Sequence, residues 1–206
     1  MSALSVRTDM RETDKHAYAA LLCLGVFGLC RISEIATEKI RQYDSAENAL
    51  RSDITICRDH HGNLSRLEFF CRASKTDIFR RSVTIVVSAA EPGTPTCPVA
   101  AVEKYLATTD FPSNEPLFRL SDGSFLTRGR VDKMIKDLAR SSGFDVDNRR
   151  WTTHSMRAGG ATSLSFLGVP AHTIQLLGRW KSDTFLRYLS ISQDGRRDLA
   201  HRMATM

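Results

Sequence analysis

In His154-Ser155-Met156-Arg157 a histidine and an arginine stand three residues apart, and Tyr188 follows some thirty residues later. On a helix that spacing puts both side chains on one face. Histidine can carry a proton near neutral pH, arginine can hold two phosphate oxygens at once, and a tyrosine hydroxyl can act as a nucleophile. Together they are the groups that phosphoryl transfer onto a protein hydroxyl requires. Singly, each has a plainer reading: a capping or core histidine, or a tyrosine packed at a half-buried site.

Other residues of the same chemical character lie along the chain. Arg31 follows an apolar run, in Gly28-Leu29-Cys30-Arg31-Ile32-Ser33-Glu34-Ile35. Glu34, three residues on, is spaced to pair with Arg31 and hold it. The plainer reading of Arg31 is a surface arginine near a helix C-terminus. Lys75, in Ser74-Lys75-Thr76-Asp77, falls in a β-rich stretch where a turn lysine is usually just solvated. Just before Tyr188 comes Gly178-Arg179-Trp180-Lys181.

The elements that must carry these residues can be read from periodicity and punctuation. Residues 1–12 read as a polar, flexible segment. A helix is expected from a cap at Asp14 to about Leu29, with Ala17, Leu21, Leu24 and either Phe27 or Gly28 facing the core. A short helix should run from Arg31 to about Lys39. Asp53–Arg58, Leu64–Arg72 and Arg80–Ser88 predict an antiparallel meander, with Val83, Ile85 and Val87 on its core face and Asp59-His60-His61-Gly62-Asn63 as its first turn. Helices then follow at Pro98–Thr108 (capped by Thr96, with Val99, Val102 and Tyr105 or Leu106 inward) and from Thr127 to Gly143 (Val131, Ile135 and Leu138 inward). Further helices are expected at His154–Leu167, at Pro170–Leu177 with Pro170 in the first turn, and from Ser182 or Asp183 through Tyr188. The class is α+β: a mostly helical single domain with one small three-stranded antiparallel sheet. Gly159-Gly160 costs about 1 kcal/mol per residue against alanine inside a helix, so a close approach by another backbone or by a ligand must offset it.

Composition sets bounds. The chain has 206 residues, is 42% hydrophobic and carries a net charge of +6, with a pI near 9.3. That charge permits a polyanionic partner. No apolar run reaches the roughly 20 residues of a membrane span, and acidic residues before Ala17 argue against a signal peptide. Five cysteines at irregular spacing, with no C-x-x-C pair, argue for reduced thiols in an intracellular protein. No P-loop and no carboxylate cluster suited to a two-metal nuclease is found.

From about Thr13 to about Ser190 the chain resembles the catalytic domain of the tyrosine recombinases, or phage-type integrases. The family's order is Arg, a Lys on a β-hairpin, His-x-x-Arg, His or Trp, then Tyr; here it reads Arg31, Lys75, His154, Arg157, Arg179 or Trp180, and Tyr188. The Gly-Arg-Trp-Lys-Ser-Asp-Thr-Phe-Leu-Arg-Tyr wording looks most like recombinases of DIRS-like and crypton-like mobile elements. The resemblance implies that Tyr188 attacks a DNA phosphodiester, that Arg31 and Arg157 clamp the phosphate, that His154 relays the tyrosine proton and that Lys75 protonates the leaving 5′ oxygen. It implies double-stranded DNA as partner, self-association from dimer to tetramer on it, no cofactor, no metal and no membrane. A eukaryotic source would make the site of action the nucleus.

The sixth position departs from the family pattern. Aligning Leu-Gly-His onto Leu177-Gly178 puts Arg179 at the histidine, with Trp180 one step beyond. Trp180 is favoured, because an indole donor could also buttress the Tyr188 helix, while Arg179 and Glu34 take supporting roles. Residues 13–206 are then the catalytic domain, and the N-terminal core-binding domain usual in the family is expected to be absent. Two alternatives remain: a catalytically inactive DNA-binding domain, and DNA relaxation of the type IB topoisomerase kind.

Overall fold

Ala17, Leu21 and Leu24, spaced three and four apart, are fully buried along the first long helix. The computed structural model describes residues 4, 7–37, 43–72, 82–91, 94 and 96–189. Its elements are α1 (Glu12–Phe27), α2 (Ile32–Ile35), β1 (Ile54–Arg58), β2 (Leu64–Cys71), β3 (Val83–Ser88), α3 (Pro98–Ala107), α4 (Arg128–Ser141), α5 (Thr153–Phe166), α6 (Ala171–Gly178) and a closing 3₁₀ turn, Asp183–Tyr188. This is the α+β architecture expected, with a three-stranded antiparallel sheet in the order β1-β2-β3.

The sheet buries one face by strict alternation. Leu67, Phe69 and Cys71 point inward from β2, and Ile85 and Val87 join them from β3 opposite Phe69 and Leu67. Val83, expected on that face, is 37% exposed, because its partner Cys71 ends β2 at the sheet margin. The first turn closes as read: Gly62 takes a φ of 84°, and Asp59 Oδ1 accepts from the amides of His61 and Asn63.

The main core lies between α1, the sheet, α3 and α4, with Tyr105, Val99, Val102, Leu117 and Val131 fully or almost fully buried. Leu4, from the segment read as flexible, joins it at 3% exposure. A smaller core of Ala161, Ile174 and Phe185, flanked by Trp180 and Tyr188, ties α5, α6 and the last turn together.

Several local expectations are corrected. Helix α1 starts at Glu12, not after a cap at Asp14; the Asp14 carboxylate instead accepts from the Ser121 amide and hydroxyl, far along the chain. Phe27 is 49% exposed and Gly28 is the inward residue of that pair. The cap of α3 is Cys97, whose Sγ accepts from the Ala100 amide. Pro170 occupies the cap position of α6 instead of its first turn. Tyr188 ends a 3₁₀ turn of six residues, not an α-helix. Helix α2 ends at Ile35, not near Lys39: Ala36 is already extended, with φ −146°, and Thr37 bridges to Thr127, while residues 38–39 lie outside the described residues. No helix among the described residues is long and apolar enough to cross a membrane.

Candidate active site

The break between α1 and α2 sets the first arginine. Gly28 closes α1, its amide bonded to Leu24 O at 3.0 Å. Leu29 then turns through a left-handed backbone, φ 48°, a geometry costly for a branched side chain. Arg31 becomes the cap residue of α2, and Glu34 reaches back to its amide at 2.8 Å, as the third residue of a capping box does. The other Glu34 oxygen accepts from Arg31 Nη1, also at 2.8 Å.

Helix α5 brings the second arginine and the histidine. Gly160 lets it lie directly on α1: a Cβ there would stand 2.3 Å from Val26 O and 2.6 Å from Leu29 Cδ2. That is the close backbone approach the glycine pair called for, at Gly160 alone, since a Cβ on Gly159 would meet nothing within 4 Å. The packing drives Arg157 inward to 4% exposure. Its Nη2 donates to Gly178 O, its Nε and Nη1 are buried without an acceptor, and its guanidinium lies 4.2 Å from the centre of the Trp180 ring. Burial first, and the Arg31 charge second, lower its pKa to about 10.

His154 Nε2 lies 2.5 Å from the Tyr188 hydroxyl, with the rings edge to face. Burial, then the charges of Arg157, Arg128 and Arg187, hold the imidazole pKa below its ordinary value. Thr162, two turns along α5, donates from Oγ1 to Tyr188 O at 2.7 Å. Trp180 flanks the tyrosine, its ring centre 6.2 Å from that of Tyr188 and 5.7 Å from that of Phe185.

Glu34 sits at the centre of the charge pattern. Its side chain is wholly buried between Arg31 and Arg179, with Arg179 Nη2 2.9 Å from Oε2. Burial alone would raise the carboxyl pKa; Arg179, the Arg31 amide and the Arg31 guanidinium outweigh it, and the net shift is downward. Glu34 therefore stays ionised.

The structure thus brings together Arg31, Glu34, His154, Arg157, Arg179, Trp180 and Tyr188. Lys75 lies outside the described residues. A cleft of about 180 Å³ is lined by Arg31, Ser33, Arg128, Thr153, His154 and Arg157 among others. Arg128 and Thr153 were not singled out in the sequence. The available signal was position: Arg128 opens an amphipathic helix and Thr153 precedes His154. Asp132 joins them, accepting from the Thr153 amide at 2.6 Å and lying 3.7 Å from Arg128 Nε. Thr162, also missed, stands eight residues after His154 on the same helical face.

Residues 4–193 match the Phage integrase family; the chain belongs to that family. Among solved structures it is similar to the XerH site-specific recombinase bound to palindromic difH substrate in a post-cleavage complex, at TM-score 0.65 and 15% identity over 97% of this chain and 48% of that one. It is also similar to XerA recombinase, at TM-score 0.58 and 20% identity over 98% of this chain and 60% of that one. A third is the Tn1549 transposon integrase in complex with circular intermediate DNA, at TM-score 0.54 and 18% identity over 98% and 64%. These structural likenesses show the fold alone. The chain spans less than two thirds of the length of each. No curated protein matches it.

Proposed function

We infer that this chain cleaves and rejoins DNA strands through a 3′-phosphotyrosyl intermediate, in site-specific recombination or integration. The observation that carries the reading is the grouping of four residues from three separate regions of the sequence: Arg31, His154 and Arg157 line one cleft, and Tyr188 meets His154 beside it. Family membership and the DNA complexes of the similar structures support it. The Gly178-Arg179-Trp180 wording is the ground for a mobile-element recombinase.

In this reading Tyr188 Oη attacks the scissile phosphorus. Its proton passes to neutral His154, whose Nε2 accepts when Nδ1 holds the imidazole proton. Arg31 and Arg157 stabilise the added charge of the pentacoordinate state. The bond from phosphorus to the 5′ oxygen breaks, and Lys75, assigned from the sequence, gives that oxygen a proton. A 5′ hydroxyl from another strand reverses the step. The bond energy is retained in the tyrosyl ester, so no ATP is consumed.

Arg157 would have to be uncovered first. Each buried donor without a partner costs about 1–3 kcal/mol, and phosphate oxygens would supply acceptors to Nε and Nη1 once Trp180 shifts. Several chains would act together on double-stranded DNA, with residues 13–206 as the catalytic unit.

The test is a covalent protein–DNA adduct on a nicked duplex, resolved under denaturing conditions with and without excess EDTA. An adduct formed equally in both supports the reading. Binding without an adduct would favour the DNA-holding alternative, and plasmid relaxation without strand exchange the topoisomerase one.

A further inference from the structure

We propose that Arg179 is a positioning residue for Arg31, and not a phosphate ligand. The proposal rests on the recombinase reading above for its catalytic consequence, and on the geometry alone for its structural one. Arg179 stands where the family pattern has its histidine, a position from which a side chain could face the cleft. Here its four terminal N–H donors already have acceptors. Nη1 lies 3.4 Å from Gly28 O and 3.1 Å from Leu177 O; Nη2 lies 3.3 Å from Leu29 O and 2.9 Å from Glu34 Oε2. The remaining donor, Nε, is buried without an acceptor.

The contact is reciprocal. Arg31 Nη2 donates to Arg179 O at 3.3 Å while Arg179 donates to the carbonyls before Arg31. The two peptides involved are the two non-glycine residues with left-handed backbones among the described residues, Leu29 at φ 48° and Arg179 at φ 57°. Such backbones are sterically unfavourable for residues with a side chain, and the strain persists where surrounding contacts over-determine it. Each guanidinium here fixes the turn that carries the other.

Glu34 couples the pair. One buried carboxylate faces two guanidiniums, and its two oxygens fix Arg31 at both the amide and Nη1. Without Arg179, Glu34 would keep one cation in place of two, and the Gly28–Arg31 turn would lose two carbonyl partners. The orientation of Arg31 across the cleft from Arg157 depends on this arrangement.

Arginine side-chain ¹⁵N–¹H spectra of the full chain, without DNA, test the geometry. The Arg31 signals are assigned by their loss in Arg31→Ala. They should be resolved in the wild type and broadened or shifted in Arg179→Ala. Where that variant fails to fold, Arg179→Lys, which keeps the charge but has three donors for four acceptors, is read the same way. Unchanged Arg31 signals in a folded variant overturn the proposal, whatever the chain does to DNA.

Single-turnover adduct formation tests the consequence. Arg179→Ala should slow it by about 10- to 100-fold, the size of loss seen when groups that orient metal ligands are removed, with DNA affinity unchanged. In an Arg31→Ala background the same change should cost little more. An equal loss in both backgrounds means that Arg179 touches the phosphate itself and overturns the proposal. A wild-type chain that forms no adduct counts against the recombinase reading and leaves the spectral result standing.

Discussion

His154 and Thr162 hold Tyr188 at its two ends: the hydroxyl 2.5 Å from the imidazole, the carbonyl 2.7 Å from the threonine oxygen. Both anchors stand on α5, so Tyr188, the proposed nucleophile, is located by one helix although its own turn is only six residues long. Tyr188→Phe removes the oxygen and keeps the ring against Trp180 and the small core. We expect no covalent adduct and nearly unchanged DNA binding, compared by denaturing gel and filter retention. An adduct in the variant would move the nucleophile elsewhere.

The lowered pKa of His154 predicts a pH profile. Burial and neighbouring arginines disfavour the imidazolium, so the base is available down to a pH below the ordinary value near 6.5. Cleavage should fall on the acid side, with its limb under that value. Arg187→Gln removes one of the cations that depress the pKa, so the limb should move to higher pH. A limb that moves down, or stays fixed, would dissociate His154 from the proton transfer.

The adjacent glycines of α5 should respond oppositely to alanine. Gly160→Ala forces a Cβ into the α1 backbone at Val26 and should destabilise by about 1–3 kcal/mol or more, as overpacking does. Gly159→Ala meets open space and should stabilise by about 1 kcal/mol through helix propensity. Urea unfolding of both variants checks the pair. A drop in DNA affinity confined to Gly159→Ala would locate a DNA contact there.

Much of this was legible from the sequence because it is periodic. The α1 stripe, the alternation of Leu67, Phe69 and Cys71, and the inward set of α3 all follow from spacing and apolar character. What escaped depends on partners distant in the chain. Asp14 looks like a cap until Ser121 is brought to it. A thiol capping α3 has no propensity signal, and a six-residue 3₁₀ turn is too short to carry a period. The direction of Arg179 is set by carbonyls about 150 residues away and by its own left-handed backbone, neither of which a motif encodes.

Lys75 carries a prediction that rests on the sequence. Lys75→Ala should block cleavage of ordinary DNA yet cleave a substrate with sulfur at the 5′-bridging position, since a thiolate departs without a proton donor. A variant that binds both substrates and cleaves neither would assign the acid to another group.

The anchoring of Tyr188 on its own α5 also decides what mixtures of defective chains can do. In the reading proposed above, Tyr188 meets His154 of its own chain, and His154 shares a cleft with Arg31 and Arg157 of that chain. On that reading, an Arg31→Ala chain and a Tyr188→Phe chain combined on one DNA should not assemble a whole centre from two halves. Complementation between them should fail, and in mixtures with intact chains, cleavage at each site should track the fraction of that site's own subunits that are intact.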